Sequence, residues 1–279
     1  MRQISIVIIF FAILVGCNSS NSKNKEQMNK QVRIIFLHHS TGKNIWRGDV
    51  SKLSYKIFKK SAVQKWFSKY NRQNSTNYQI EETYFPNDKG GYGWKNYPYD
   101  YYNIWVKHEG DKDYMNEPML ESLTKKYDVI IWKHCYPVCK ILPDSGQGDI
   151  NSEEKRIENY KLQYNKLKEK MHSFPNTKFI VWTGAVLTKE STDPESAQRA
   201  KDFFTWVKQQ WDEPGDNIFL WDLYELETEG GLYFKDEYAS TAKDPHPSVA
   251  FSTKVYPFFC KRITDVIEGR GDSASITGK

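Results

Sequence analysis

Short, nearly unbroken apolar runs alternate with longer stretches of helical period along this chain. Residues 32–37 form one such run, as a central parallel strand buried on both faces requires. Ile57, Phe58, Val63, Trp66 and Phe67 then recur at helical spacing within residues 56–70. A second strand is predicted over residues 78–84, followed by an aromatic, Gly-rich loop from residue 86 to about residue 105. Residues 119–126 end a helix, and residues 127–132 make the third strand. Ser152 is placed to cap a helix over residues 152–172, with Glu153 and Glu154 in its first turn. Ile157, Tyr160, Tyr164, Leu167 and Met171 form its apolar face. The fourth strand covers residues 178–183, Pro194 opens the next helix, and the fifth strand covers residues 217–221. Helical pattern returns after Pro247.

Five strands alternating with helices predict an α/β fold: a three-layer α/β/α sandwich on a parallel sheet. The fold is expected to be a single domain over residues 31–268, with a flexible tail over residues 269–279. No internal repeat or second linker interrupts it.

The first residues carry a different pattern. Arg2 is followed by an apolar stretch over residues 4–15, too short to span a bilayer comfortably. Leu14-Val15-Gly16-Cys17 then resembles a bacterial lipobox. That resemblance implies a signal peptide over residues 1–16, lipid attachment at Cys17, and a disordered tether over residues 17–30. The expected location is the cell envelope, on a membrane through the lipid anchor and outside the cytoplasm.

The formal charge of +5 is mild, and no nucleic-acid motif is present, which argues against nucleic acid as a partner. Aromatic residues make up 15% of the chain, an excess that suits both a ligand surface and a large core. With Cys17 assigned to lipid, Cys135, Cys139 and Cys260 remain, and an odd number cannot all pair. A Cys135–Cys139 bridge is conceivable, and small buried residues are the alternative.

Two segments carry candidate chemistry. Ile34-Ile35-Phe36-Leu37-His38-His39-Ser40 delivers a serine at the carboxyl end of the first strand, where ligands gather in parallel sheets. Asp244-Pro245-His246-Pro247 places a carboxylate and an imidazole in a frame stiffened by two prolines. A hydroxyl, an imidazole to take its proton and a carboxylate to orient that imidazole suffice for nucleophilic hydrolysis. Each also has a bland reading: Ser40 as a helix-start residue and Asp-Pro as a surface turn. Should Asp244 fail to reach the imidazole, Asp236 or Glu237 become candidates.

The order Ser, Asp, His on this pattern resembles the SGNH (GDSL-like) hydrolase superfamily. The resemblance implies a flavodoxin-like strand order, Ser40 as nucleophile, His246 as general base, Asp244 as its orienter, and no cofactor or metal. It departs from the family at three places. His38-His39 stand where Gly-Asp is usual, Asp244 is two rather than three residues before His246, and the Asn block after the third strand is missing. Lys133 and His134 occupy that block, so the oxyanion role passes to them or to a backbone amide. Gly91 and Gly93 match the family's glycine block by position. His39 is expected to line the site or to pack beside the nucleophile.

In the aromatic loop, Trp94 and Tyr97 are the candidate glycan contacts, while Trp105 lies in a run that reads as buried. Thr183 ends the fourth strand and is expected to line the same crevice. The function read from these residues is a carbohydrate esterase with a glycan or small-molecule substrate. The rival is a catalytically silent glycan-binding lipoprotein. A metal-dependent hydrolase using His38 or His39 lacks the usual ligand spacing.

Overall fold

The first apolar run becomes β1 (Gln31–His38), whose Ile34, Ile35, Phe36 and Leu37 are all buried. A computed structural model describes residues 31–87, 89–93 and 95–279. Cys17, Trp94 and the expected signal peptide and tether lie outside those residues. β2 (Asn77–Tyr84), β3 (Val129–Trp132), β4 (Lys178–Trp182) and β5 (Ile218–Trp221) complete a five-stranded parallel sheet in the order β2-β1-β3-β4-β5. This is the flavodoxin-like order, in which the chain switches direction between β1 and β3. The crevice at that switch is where β1 delivers Ser40.

Helices cover both faces. α1 (Ser40–Arg47), α3 (Ala62–Asn74) and α9 (Val249–Ile267) pack together on one side of the sheet. α2 (Lys52–Phe58) lies between α1 and α3 in the chain. α4 (Pro98–Tyr102), α5 (Leu120–Lys126), α6 (Ile157–His172) and α7 (Pro194–Trp206) follow, as right-handed crossovers require, on the other. α8 (Leu223–Thr228), β6 (Ala239–Thr241) and β7 (Asp244–Pro247) lead into α9.

The periodicity at residues 56–70 belongs to two helices rather than one. Ser61 accepts from the Gln64 amide at 3.1 Å while the Gln64 side chain accepts from the Ser61 amide, a capping box that starts α3 afresh. The helix expected from Ser152 begins at Ile157, because Ser152 instead receives the Glu154 amide in a local turn. The tail expected over residues 269–279 is tied to the body. Arg262 donates to the Gly271 carbonyl at 2.6 Å, Asp222 N–H to Ile276 at 2.9 Å, and Trp221 Nε1 to Thr277 at 2.9 Å. The segment thereby satisfies polar groups just past the end of the edge strand β5.

Much of the aromatic excess goes into the core. Trp182 packs against Phe36, Trp221 and Phe259 with ring centroids 4.7, 4.3 and 4.7 Å away. On the other face Trp105, Trp132 and Tyr101 form a second buried cluster.

α1 meets β1 closely at Gly42. A Cβ there would sit 2.5 Å from the His38 Cβ and 2.9 Å from the Phe36 ring. Gly42→Ala is therefore expected to push α1 off the sheet. The cost is about 1–3 kcal/mol, visible as a lower melting temperature in a calorimetric scan. An unchanged melting temperature would show that α1 and β1 can separate without loss.

Candidate active site

β1 ends at His38, and the extended His39 precedes α1, so Ser40 is the first helical residue. The first amides of a helix have no carbonyl partner within it and carry the positive end of its dipole. Ser40 thus presents its Oγ at the end of α1 toward which these amides point.

The imidazole arrives from the far end of the chain. β6 and β7 pair antiparallel, and Asp244 N–H donates to Thr241 Oγ1 at 3.0 Å. Asn44 of α1 donates to the Pro247 carbonyl at 3.2 Å, and Ser248 caps α9 by accepting from Phe251 N–H. These contacts pin both ends of the Asp244–Pro247 segment against α1.

Because β7 is extended, residues two apart point to the same side. Asp244 and His246 therefore share a face, and the shortened spacing becomes a workable geometry. Asp244 Oδ1 accepts from His246 Nδ1 at 2.5 Å and from the His246 amide at 3.1 Å. A carboxylate only accepts, so Nδ1 holds the ring proton and Nε2 is left as an acceptor. Ser40 Oγ lies 2.8 Å from that Nε2 and donates to it. Partial burial alone would raise the Asp244 carboxyl, but the bonds from His246 outweigh it and hold it below its ordinary value. The Tyr136 ring meets the imidazole edge-on at 5.0 Å. Asp236 and Glu237 are not needed for this arrangement.

Behind the serine lies a polar group that sequence reading did not single out. Cys135 Sγ sits 4.0 Å from Ser40 Oγ, 3.4 Å from Thr41 Oγ1 and 3.6 Å from Lys133 Nζ. Burial would raise the Cys135 thiol, yet the Lys133 charge and the hydroxyl and amide of Thr41 bring it below its ordinary value. Lys133 is itself fully buried, and desolvation lowers its pKa. Cys135, Cys139 and Cys260 are all free and buried, so no Cys135–Cys139 bridge forms.

Several predicted site residues have other work. Lys133 is fully buried with its Nζ on Cys135 Sγ rather than lining an open cleft. His134 is enclosed by Tyr101, Trp132 and Tyr164, where burial drives its pKa far down. It packs in the aromatic core instead of facing substrate. Gly93 N–H is used by the Asn87 carbonyl at 3.0 Å and is not an oxyanion donor. A Cβ on Gly91 would meet Glu117 Oε1 at 2.4 Å. That carboxylate receives the Asn87 and Tyr92 amides, so the glycine loop is folded onto Glu117.

Tyr97 is buried, donates to the Glu153 carbonyl at 3.0 Å and packs on Tyr160, so it is a wall of the body rather than a sugar platform. Thr183 is buried and donates to Asp222 Oδ1 at 2.7 Å while accepting from Tyr224 N–H, which ties β4 to α8. His39 donates to the Pro86 carbonyl and sets the entry to α1. His38 points to the other side, bonded to the His39 carbonyl at 2.8 Å and to Glu82 at 2.9 Å. Glu82 also takes Lys43 and Tyr55; desolvation opposes its charge, but these partners bring its carboxyl down to about 2. A surface cavity of about 540 Å³ opens beside it, lined by Lys43, Glu82, Thr83, Tyr84, Asn87 and Lys89. Among the described residues, no group of three His, Cys, Asp or Glu side chains is placed to hold a metal ion.

Glu227 is another buried ionisable group near this region. Burial pushes its carboxyl up to about 8, against the Val186 amide it accepts at 2.8 Å and the Lys133 charge. Asp100 is likewise raised by burial, to about 7. Both groups bind a proton more tightly folded than unfolded, so stability is greatest below about pH 4.5 for these two and is lost as pH rises toward 8. Each contributes a slope of up to about 1.4 kcal/mol per pH unit between its unfolded and folded values. Below about pH 6.5 the buried His134, whose pKa burial lowers, opposes this trend. Melting temperatures are therefore expected to fall from about pH 6.5 to pH 8, and Glu227→Gln is expected to flatten that slope. A profile unchanged by the substitution would contradict this assignment.

No protein-family model matches the chain, and no curated protein sequence is similar to it. Solved structures are similar in fold only. A family two carbohydrate esterase from Cellvibrio japonicus shares 10% identity at a TM-score of 0.45, over 85% of this chain and 62% of that one. An acetyl xylan esterase from Geobacillus stearothermophilus shares 12% identity at 0.47, over 85% and 95%. An active-site mutant of a family two carbohydrate esterase from Clostridium thermocellum shares 12% at 0.39, over 86% and 65%. At these scores the site's own geometry has to carry the functional argument.

Proposed function

We propose that this chain is a serine esterase of the SGNH type that removes small acyl groups, acetyl among them, from a carbohydrate. The observation that carries the proposal is Ser40 Oγ held 2.8 Å from an imidazole whose other nitrogen is held by a carboxylate. In this reading the Ser40 hydroxyl attacks the ester carbonyl and passes its proton to His246 Nε2. Asp244 stabilises the imidazolium that results. The Ser40 amide, at the first turn of α1, donates to the developing oxyanion. The tetrahedral intermediate collapses as His246 returns the proton to the leaving sugar hydroxyl. Water, deprotonated by the same nitrogen, then releases the acid from the acyl-enzyme. The triad's place at the carboxyl ends of the strands, with His246 a third exposed, leaves a route for a bulky alcohol.

The envelope location and the lipid at Cys17 are part of the same proposal, resting on the sequence of residues 1–17. The test is release of acetate from acetylated oligosaccharides, with labelling of Ser40 by a fluorophosphonate. Labelling and turnover together support the esterase. Glycan binding with neither would favour a silent binding protein instead.

A further inference from the structure

Between Asp49 and Glu81 the chain contains no Asp or Glu, but it carries Lys52, Lys56, Lys59, Lys60, Lys65, Lys69 and Arg72. All seven are exposed. Among the described residues none of them forms an ion pair, whereas Lys43, Lys170 and Lys208 elsewhere do. The same segment holds the three most exposed large apolar side chains described. Leu53, Ile57 and Phe58 are 68%, 61% and 69% accessible, and α2 has no buried residue at all. Leu53 and Ile57 lie four apart, one above the other on the helix, with Phe58 beside them. The helix is held from its other side, where Tyr55 donates to Glu82 Oε1 at 2.7 Å. Its apolar residues therefore face outward while its one polar anchor faces the sheet.

We propose that α2 and the exposed rim of α3 form a docking face for an anionic phospholipid surface. Apolar side chains ringed by lysines suit the boundary between headgroups and acyl chains. The hydrocarbon sinks below the phosphates and the ammonium groups reach them. Charge selects this occupant over a second copy of the chain, because a symmetric contact would oppose seven cations to seven. An anionic polymer would satisfy the lysines but leave Leu53, Ile57 and Phe58 in water. Tyr55 also accepts from Lys43 at 3.1 Å, one turn along the helix that begins at Ser40. A docked α2 would hold the mouth of the site beside the bilayer. The inference stands whether or not the chain is an esterase.

The test uses the full chain with Cys17→Ser and an environment-sensitive thiol dye on Leu53→Cys, Ile57→Cys or, as a control on α6, Leu162→Cys. Whatever residues 1–30 contribute to adsorption is common to all three. With vesicles of phosphatidylcholine and phosphatidylglycerol carrying a nitroxide in the acyl chain, quenching is expected at positions 53 and 57 and not at 162. Pure phosphatidylcholine should give much less. Replacing Lys52, Lys56, Lys59 and Lys60 by Gln should weaken the vesicle dependence by at least about tenfold. Circular dichroism confirms that each variant is folded. Quenching no greater than at the control, or equal with neutral vesicles, overturns the proposal. Lipid-independent self-quenching would mean a second copy instead, and capture by heparin without acyl-chain quenching would mean a polyanion.

Discussion

Ser40→Ala is expected to lower kcat/KM for p-nitrophenyl acetate and acetylated oligosaccharides by about 10³–10⁶-fold, the range seen when a nucleophile acting as part of a unit is removed. The substitution deletes one oxygen from a half-buried position and leaves α1 intact. The melting temperature should therefore move by no more than about 3 °C. A second nucleophilic group, the Cys135 thiol, lies 4.0 Å away. It is not expected to substitute, because it is buried and the hydrogen bond to His246 Nε2 is made by Ser40. His246→Ala should be as damaging, and the double variant hardly worse than either single one, since the two side chains perform one proton transfer. If Ser40→Ala keeps a tenth or more of wild-type turnover, the nucleophile is elsewhere and the esterase mechanism given above fails. If wild type releases no acid at all yet retains glycan, the protein binds rather than cleaves.

Asp244→Asn should cost about 10²–10⁴-fold in kcat with little change in KM. Asn no longer supplies the negative charge that offsets the imidazolium, and its amide can donate where the carboxylate only accepted. Presenting NH₂ to Nδ1 would favour the tautomer with its proton on Nε2, and Ser40 would then face a donor. The lower half of that range is the better expectation, since the Asp244 side chain is 50% exposed and water screens part of the charge. The wild-type pH profile adds a second check. Because the Asp244 carboxyl is held below its ordinary value, it stays ionised through mildly acidic conditions, and activity lost between pH 7 and 5 is not its titration. A variant with wild-type kcat would show that His246 is oriented by its backbone alone.

The four inner and far-edge strands were legible because parallel strands packed on both faces write themselves as apolar runs. Residues 32–37, 127–132, 178–183 and 217–221 each match an observed strand to within two residues. Residues 78–84 match β2 as closely, although that edge strand has no buried residue. The aromatic loop was harder. Trp105 is buried, as its Ile-Trp-Val run predicts. An isolated Tyr, however, reads the same whether it faces a sugar or a core, and the structure sends Tyr97 and Tyr101 inward as well. Thr183 and His134 were misplaced for a related reason. Residues at strand ends include those that open to the crevice and those that stitch neighbouring elements, and only the neighbour decides which. Cys135 carried a usable signal, since it follows β3 at the same sheet end as Ser40, but nothing local joins it to Thr41.

By itself, the sequence determined the strands, the serine at the end of β1 and an Asp and His two apart in a stiff segment. These are short-range properties: periodicity, propensity and the fixed φ of proline act over a few residues. Tertiary structure alone decided that Ser40 and His246, 206 positions apart, stand 2.8 Å from each other. It also decided that β7 is extended, so that a two-residue spacing works, and that Lys133 lies buried with its Nζ on Cys135 Sγ. Such outcomes depend on which surfaces close upon one another when the sheet assembles. Burial, and the charge states it sets, belong to that assembly rather than to any stretch of chain.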